Sequence, residues 1–244
     1  MNQYQDTFKR YEKKYLLDYE KYELLRFKLG DYLEEDEFGQ TTICNIYFDT
    51  PDYRLIQASL EKPVYKEKLR LRSYGVPSEM DTVFIELKKK YKGIVYKRRI
   101  KSELISAEHY LYDGETDKET SQINREIDWF LNFYPDIRPA MYIAYDRTAL
   151  YGIEDNNLRI TFDSNIIWRE EELWLESGIF GASLLDQGVQ LMEIKIPGAM
   201  PLWLAHLLND LEIFPVSFSK YGKGYQESLL IKNKEEGKEV LLYA

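Results

Sequence analysis

The sequence predicts an α+β protein built on an eight-stranded antiparallel β-barrel, a tunnel with helices packed outside it. The first observation behind this is period-two alternation of charged and apolar residues. It recurs in Lys68-Leu69-Arg70-Leu71-Arg72, Val83-Phe84-Ile85-Glu86-Leu87-Lys88, Leu158-Arg159-Ile160-Thr161-Phe162-Asp163 and Met192-Glu193-Ile194-Lys195-Ile196. Such a pattern gives a strand one apolar face and one charged face. The second is the sign of that charge. It is mostly basic, so several strands share one charged surface, and the inside of a barrel is where they can share it. The third is the arrangement of strands in hairpins, which favours an antiparallel sheet over a βαβ sheet.

The elements follow in order. Lys9–Leu17 reads as a strand, and Asp18 caps a helix over Tyr19–Leu33. An acidic loop, Glu34-Glu35-Asp36-Glu37, leads to a strand over Thr41–Phe48. Asp49-Thr50-Pro51-Asp52 turns the chain into a helix over Tyr53–Leu60. Tyr65–Ser73 is a strand. Asp81–Lys89 and Ile94–Lys101 form a hairpin across Tyr91-Lys92-Gly93. Ser102 to Tyr134 is mostly helical, with Ser102 or Asp117 as caps. Pro139–Tyr151 and Asn157–Ile166 pair as a second hairpin, and Glu171–Glu176 is a short strand or turn. Val189–Ile196 is a strand, Pro201–Leu211 an amphipathic helix opened by proline, and Ser217–Gly224 a basic loop before a last helix. No linker or low-complexity boundary interrupts residues 1–244, so one domain is expected.

Composition narrows the function. The 244 residues are 44% hydrophobic and 15% aromatic, with 21 Tyr, enough for a substantial β-rich core. A net charge of −9 argues against a general nucleic-acid binder. The average hides a segregation, with acids in loops and helices and bases in strands. One cysteine, Cys44, excludes an internal disulfide and a Cys-rich zinc site, and reads as a core thiol. Met1–Asp6 has no apolar run, and no stretch approaches a spanning helix. A cytoplasmic protein is expected. His109 and His206 lie in helices without metal-ligand spacing. Gly222-Lys223-Gly224 hints at a phosphate loop but lacks the Walker pattern. Trp203, Leu204, Leu207 and Leu208 read as packing residues.

The charged constellation carries the chemistry. Lys68, Arg70 and Arg72 at i, i+2 and i+4 point one way from a strand. Like charges at that spacing need an anion or carboxylates. The same parity assigns Glu12 with Lys14, Glu86 with Lys88, Lys97 with Arg99, Tyr145 with Arg147, Arg159 with Asp163, and Glu193 with Lys195. Bases outnumber acids on this face. Arg forks and Lys point charges suit phosphate oxygens, and the carboxylates suit Mg²⁺ or Mn²⁺.

These residues resemble the polyphosphate polymerase domain of the vacuolar transporter chaperone (VTC) type, a branch of the triphosphate tunnel metalloenzymes. The matching stretches include Arg10-Tyr11-Glu12-Lys13-Lys14-Tyr15, Ile46-Tyr47-Phe48-Asp49, Lys68–Gly75, Glu86-Leu87-Lys88 and Tyr96-Lys97-Arg98-Arg99. They continue with Tyr145–Ala149, Leu158–Asp163, Glu193-Ile194-Lys195 and Phe218-Ser219-Lys220-Tyr221. Each is weak alone, and their ordered set is fairly specific.

The resemblance implies a triphosphate tunnel fold that binds ATP and a growing polyphosphate chain, with orthophosphate or pyrophosphate as further partners. Lys14, Arg70, Arg72, Lys88, Lys97, Arg147, Lys195 and Lys220 match the family's phosphate-binding bases. Tyr145 and Ser219 match further phosphate contacts, Glu193 the metal carboxylate, with Glu12 and Asp163 as weaker metal ligands. Of these bases, Arg70, Arg72, Lys88, Arg147 and Lys195 are the expected catalytic groups. Lys68, Arg99 and Arg159 join the others in holding substrate. Two positions depart from the pattern. Ser217 stands where some members carry lysine, and Arg10 replaces the first Glu of the Glu-x-Glu-x-Lys motif of the cyclase and thiamine-triphosphatase branch. The implied activity is an ATP–polyphosphate phosphotransferase using Mn²⁺ or Mg²⁺. A triphosphatase in the same tunnel and a non-catalytic polyphosphate or nucleotide sensor remain alternatives. An RNA-binding tunnel is disfavoured by the few stacking aromatics on the charged faces.

Overall fold

The computed structural model describes residues 11–92, 94–114 and 121–235. Lys9, Arg10, Gly93, Asp117 and Glu236 lie outside them. The elements are β1 (Tyr11–Leu17), α1 (Tyr19–Leu29), β2 (Leu33–Asp49), α2 (Arg54–Leu60), β3 (Tyr65–Tyr74), β4 (Thr82–Tyr91) and β5 (Ile94–Glu103). There follow α3 (Leu104–Tyr112), α4 (Gln122–Phe133), β6 (Arg138–Gly152), β7 (Arg159–Arg169), the two-residue β8 (Ala182–Ser183), β9 (Gln190–Ile196), α5 (Leu202–Asp210) and α6 (Lys220–Glu235).

One antiparallel sheet runs in the order β1-β9-β7-β6-β2-β3-β4-β5, with β8 paired to β7. The expected antiparallel architecture is present. The ladder is not closed among the described residues, where β1 and β5 are its ends. The backbone N–H of Val216 donates to the Lys14 carbonyl at 2.7 Å, which covers part of the β1 edge.

The two strand faces separate as the alternation requires. Outward residues Cys44, Ile46, Phe48, Leu69, Leu71, Ile85 and Leu87 bury against Leu104, Ala107, Ile127 and Phe130 of α3 and α4. Tyr15, Leu17, Ile160, Phe162, Met192 and Ile194 bury against Leu25 and Leu29 of α1 and Leu204 and Leu208 of α5. Each such Leu, Ile, Phe or Met side chain stabilises the fold by about 1.5–3 kcal/mol. Part of the inner face is apolar too: Ile43, Tyr47, Met141, Ile143, Tyr145, Ile166 and Trp168 pack on Ile56 of α2 and on Tyr221 and Tyr225 of α6. A bulge in β7, between the pairs Ala144–Ile167 and Asp146–Ser164, makes this possible. Asn165 takes a left-handed φ of 49° there. The extra residue resets the parity, so Ile166 and Trp168 join the face that carries Arg159, Thr161 and Asp163.

Four expectations need correction. The acidic segment 34–37 is strand, not loop. β2 starts at Leu33 and bulges between Glu35 and Gln40, with Gly39 at φ 57°. Among the described residues the helical insert is capped by Glu103, at α3, and Ser121, at α4, rather than by Ser102. Ser121 accepts from the Asn124 N–H. The basic loop ends at Ser219, because α6 begins at Lys220. Gly222-Lys223-Gly224 is therefore helix, and its glycines serve packing: a Cβ at Gly224 would sit 2.5 Å from Met141 Sδ, and one at Gly222 3.1 Å from Leu60 Cδ2. Cys44 is buried in the core, and His109 pairs at 2.9 Å with Asp113 on the surface of α3, as non-catalytic readings require.

Candidate functional site

Cross-strand register assembles the inner face. Arg70 lies opposite Tyr47 and Glu86, Arg72 opposite Asn45 and Phe84, and Lys68 opposite Lys88. Glu86 and Lys88 face Arg99 and Lys97 of β5. On the other half, Lys14 faces Glu193, Glu12 faces Lys195, Arg159 faces Lys195, Thr161 faces Glu193, and Arg147 faces Asp163.

Glu86 is the hub of the first half. Its Oε2 accepts from Arg70 Nε at 2.8 Å and Nη2 at 2.6 Å, and its Oε1 from Arg99 Nε and Lys97 Nζ, both at 2.6 Å. Arg72 Nη1 lies 3.8 Å from the same carboxylate. Burial opposes ionisation of Glu86, yet Arg70, then Arg72 and Lys97, outweigh it and hold the carboxyl well below its usual range. Arg72 also donates to Asn45 Oδ1 at 2.8 Å and to the Tyr145 hydroxyl at 3.2 Å. Burial raises the Tyr145 phenol, but Arg72, Arg147 and Lys220 pull it down to about 7.

Asp163 organises the second half. It takes a two-pronged bond from Arg147, at 2.6 and 2.7 Å, and a 2.5 Å bond from Lys220. With no exposed surface, both its oxygens are committed to these bases. Glu193 is held by Lys195 Nζ at 2.6 Å. Burial again opposes its ionisation, and Lys195, Lys14, Arg147 and Lys220 reverse the effect. Lys14 Nζ lies 3.6 Å from Glu12 and 3.9 Å from Glu193, and donates to the Phe218 carbonyl at 3.0 Å. Lys88 reaches Glu12 at 3.7 Å, joining β4 to β1 from opposite parts of the strand order.

The expected residues therefore converge, with two exceptions. Arg159 shares the face but pairs with Asp36 at 3.7 Å and is 56% exposed, so it stands at the margin. Asp163 stands apart from Glu12 and Glu193, with both its oxygens hydrogen-bonded to Arg147 and Lys220. No group of three or more potential metal-ligating side chains forms among the described residues. Glu12 and Glu193 do fit a divalent cation, since they already flank one ammonium, Lys14. Thr161 adds a buried hydroxyl without a hydrogen-bond partner on the strand beside Glu193. With so few carboxylates, phosphate oxygens would complete the coordination of such an ion.

Sequence reasoning missed the uncharged members of the face, Asn45, Tyr47 and Thr161. Their parity with Arg70, Arg72 and Asp163 was the available signal. It also left Asp49 unassigned. This buried carboxylate accepts from the N–H groups of Leu55 and Ile56 at the start of α2 and from the Tyr221 hydroxyl of α6, at 2.8–3.0 Å. It fixes both helices against the inner face.

Solved structures that share this fold include the following two. A candidate adenylate cyclase from Bacillus halodurans superposes with a TM-score of 0.53 at 15% identity, covering 85% of this chain and 92% of its own. A candidate adenylyl cyclase from Hippeastrum, reported to have a dominant triphosphatase activity, gives 0.51 at 16% identity, covering 94% and 96%. No curated protein sequence matches significantly. The VTC domain family model matches residues 9–229, nearly the whole chain, in agreement with the ordered motifs and the tunnel architecture. The chain belongs to the VTC domain family, within the triphosphate tunnel fold.

Proposed function

We propose that the protein is a metal-dependent polyphosphate polymerase that transfers the γ-phosphoryl group of ATP to a growing polyphosphate chain. The observation that carries this reading is the gathering of bases from β1, β3, β4, β5, β6 and β9 on one face of the sheet, with the buried carboxylates Glu86 and Glu193 held ionised.

Phosphoryl transfer needs charge neutralisation and in-line placement more than a covalent protein group. In the proposed reaction a terminal phosphate oxygen of the acceptor chain attacks Pγ. The bond from Pγ to the β–γ bridging oxygen breaks, and ADP leaves with the electron pair. The attacking oxygen is already ionised, so no strong protein base is required. Arg70, Arg72, Lys88, Arg147 and Lys195 neutralise the transferring group. Lys14, Lys68, Lys97, Arg99, Tyr145, Ser219 and Lys220 hold the flanking phosphates, and Arg159 serves at the margin. Glu86 and Asp163 fix the forks in place before substrate arrives. Glu193, with Glu12, would hold Mn²⁺ or Mg²⁺, which would supply further charge neutralisation to the phosphates.

A triphosphatase reading is favoured by the activity reported for the Hippeastrum protein, and it differs in having water as the acceptor. Steady-state assays with ATP and Mn²⁺ test the assignment. Glu193→Gln and Arg70→Ala are expected to lose turnover by about 100-fold or more, on the scale of removing one electrostatic stabiliser. Near-normal synthesis by both variants would sink it.

A further inference from the structure

The inner face changes chemistry at one end. Its row on β3 ends in an aromatic residue, Tyr74, after Arg70 and Arg72, and its row on β4 begins with another, Phe84, before Glu86. Phe84 is the register partner of Arg72, and parity places Tyr74 one pleat, about 7 Å, beyond Arg72 on the same face. The two rings meet edge to face, with centroids 5.8 Å apart at 81°. Arg99, which donates to Glu86, also lays its guanidinium 4.3 Å from the Phe84 centroid. A cation–π contact thus joins the aromatic pair to the charged cluster.

Core packing does not account for Tyr74. Tyr47 and Tyr145 on the same face are 7% and 3% exposed, whereas Tyr74 is 51% exposed. Its backbone is nevertheless fixed. Its partner across the ladder is the buried Ile43 of β2. Gly75 turns the chain away behind it at φ 76°, and its N–H donates to the Thr42 carbonyl at 2.8 Å. The Ser73 hydroxyl donates to the Gly75 carbonyl at 2.7 Å and closes the same turn. An aromatic surface held rigidly in solvent beside a cluster of guanidinium groups matches a ligand that joins a planar ring system to phosphates. One pleat is of the order of the gap that a ribose spans between its base and its first phosphate.

We propose that Tyr74, backed by Phe84, is the stacking platform for the base of a nucleoside triphosphate. The proposal rests on the reading of the inner face as a triphosphate site and adds a separate subsite for the uncharged end of that substrate. It also sets the direction of the nucleotide, with the α-phosphate beside Arg72 and the γ-phosphate away from Tyr74. Stacking engages the face of a base rather than its hydrogen-bonding edge, so adenine and guanine are accepted alike.

The test is the ratio of affinities for ATP and for ribose 5-triphosphate, which lacks the base. It is measured by calorimetry on the full chain without added metal, so that no turnover intervenes. The wild type is expected to bind ATP about tenfold more tightly, on the scale of one base–aromatic stack, and GTP as tightly as ATP. Tyr74→Ala is expected to bring the ratio close to one. Tyr74→Trp keeps an aromatic face and is expected to keep the ratio, which separates a lost stack from a disturbed fold. Its added indole fluorescence, relative to wild type, is expected to be quenched by ATP and not by ribose 5-triphosphate. A wild type that binds both ligands equally overturns the base subsite and leaves the triphosphate reading standing, as does an undiminished ratio in Tyr74→Ala. Failure of the wild type to bind either ligand overturns the triphosphate reading and the subsite with it.

Discussion

Glu86 receives Arg70 side-on, with Nε and Nη2 of the guanidinium converging on one carboxylate oxygen at 2.8 and 2.6 Å. The other oxygen is shared by Lys97 and Arg99. Glu86 is 1% exposed, so the cation cluster closes around a buried anion. It sets the spacing of bases that repel one another. Glu86→Gln keeps the shape and removes that charge. An expected loss of about 3 kcal/mol in folding stability follows from breaking a buried ion pair, read by denaturant unfolding. Saturating tripolyphosphate should return part of it, because an external anion takes over the neutralisation.

Asp163 and Glu193 are both buried acids held ionised, yet their partners predict different phenotypes. Asp163 is committed to Arg147 and Lys220, so Asp163→Asn leaves two buried cations without their counter-ion. A loss of about 3–5 kcal/mol is expected. Glu193→Gln should fold with a smaller loss and fail in metal-dependent turnover. Unfolding curves beside turnover with and without Mn²⁺ check the contrast. Equal stability losses in the two variants would contradict the division of roles.

Acid sensitivity follows from the same carboxylates. Glu86, Asp163 and Glu193 have folded-state pKa values below their ordinary ones. Their contribution to stability is therefore complete above the unfolded carboxyl range of about 3.9–4.3 and is lost as pH falls through it toward the folded values. Stability should decline from about pH 5 downward, and Asp163→Asn should flatten that decline. Unfolding free energies at several pH values between neutrality and pH 3 measure it. An identical slope in the variant would contradict the assignment to Asp163.

Lys68 gives the opposite sign. Burial, then Lys66, Lys14, Lys88 and Arg70, lower it to about 7 in the free protein. A polyanion beside it restores a pKa nearer the ordinary ~10.4. Binding then takes up a proton, and affinity falls as pH rises above about 7. Calorimetry of tripolyphosphate at pH 8, in buffers of different ionisation enthalpy, should show up to about one proton more taken up by wild type than by Lys68→Arg. The variant is always charged and sets the baseline for protons taken up by the ligand itself.

The charged face was legible because β-strand parity is strict. Lys14, Arg70, Glu86, Lys97, Arg147 and Glu193 share a face once they share a sheet, and period two alone gives their side. The strand at Leu33–Gln40 was not legible, since an acidic, half-exposed segment carries no apolar alternation. The start of α6 was hidden by Gly222 and Gly224, residues that weaken a helix by propensity but are required here by the approach of Leu60 and Met141. The partner of Asp163 was not legible from one strand's pattern. Lys220 comes from a helix 57 residues further along the chain and donates to the Asp163 carboxylate.

The most direct measurement is incubation of the purified protein with γ-labelled ATP and Mn²⁺, followed by gel analysis of labelled polymer beside release of orthophosphate. The account predicts a ladder of polyphosphate that disappears with Glu193→Gln and with a metal chelator. Orthophosphate without polymer would contradict the polymerase reading in favour of hydrolysis, and ATP binding without either product would leave a sensor in place of an enzyme.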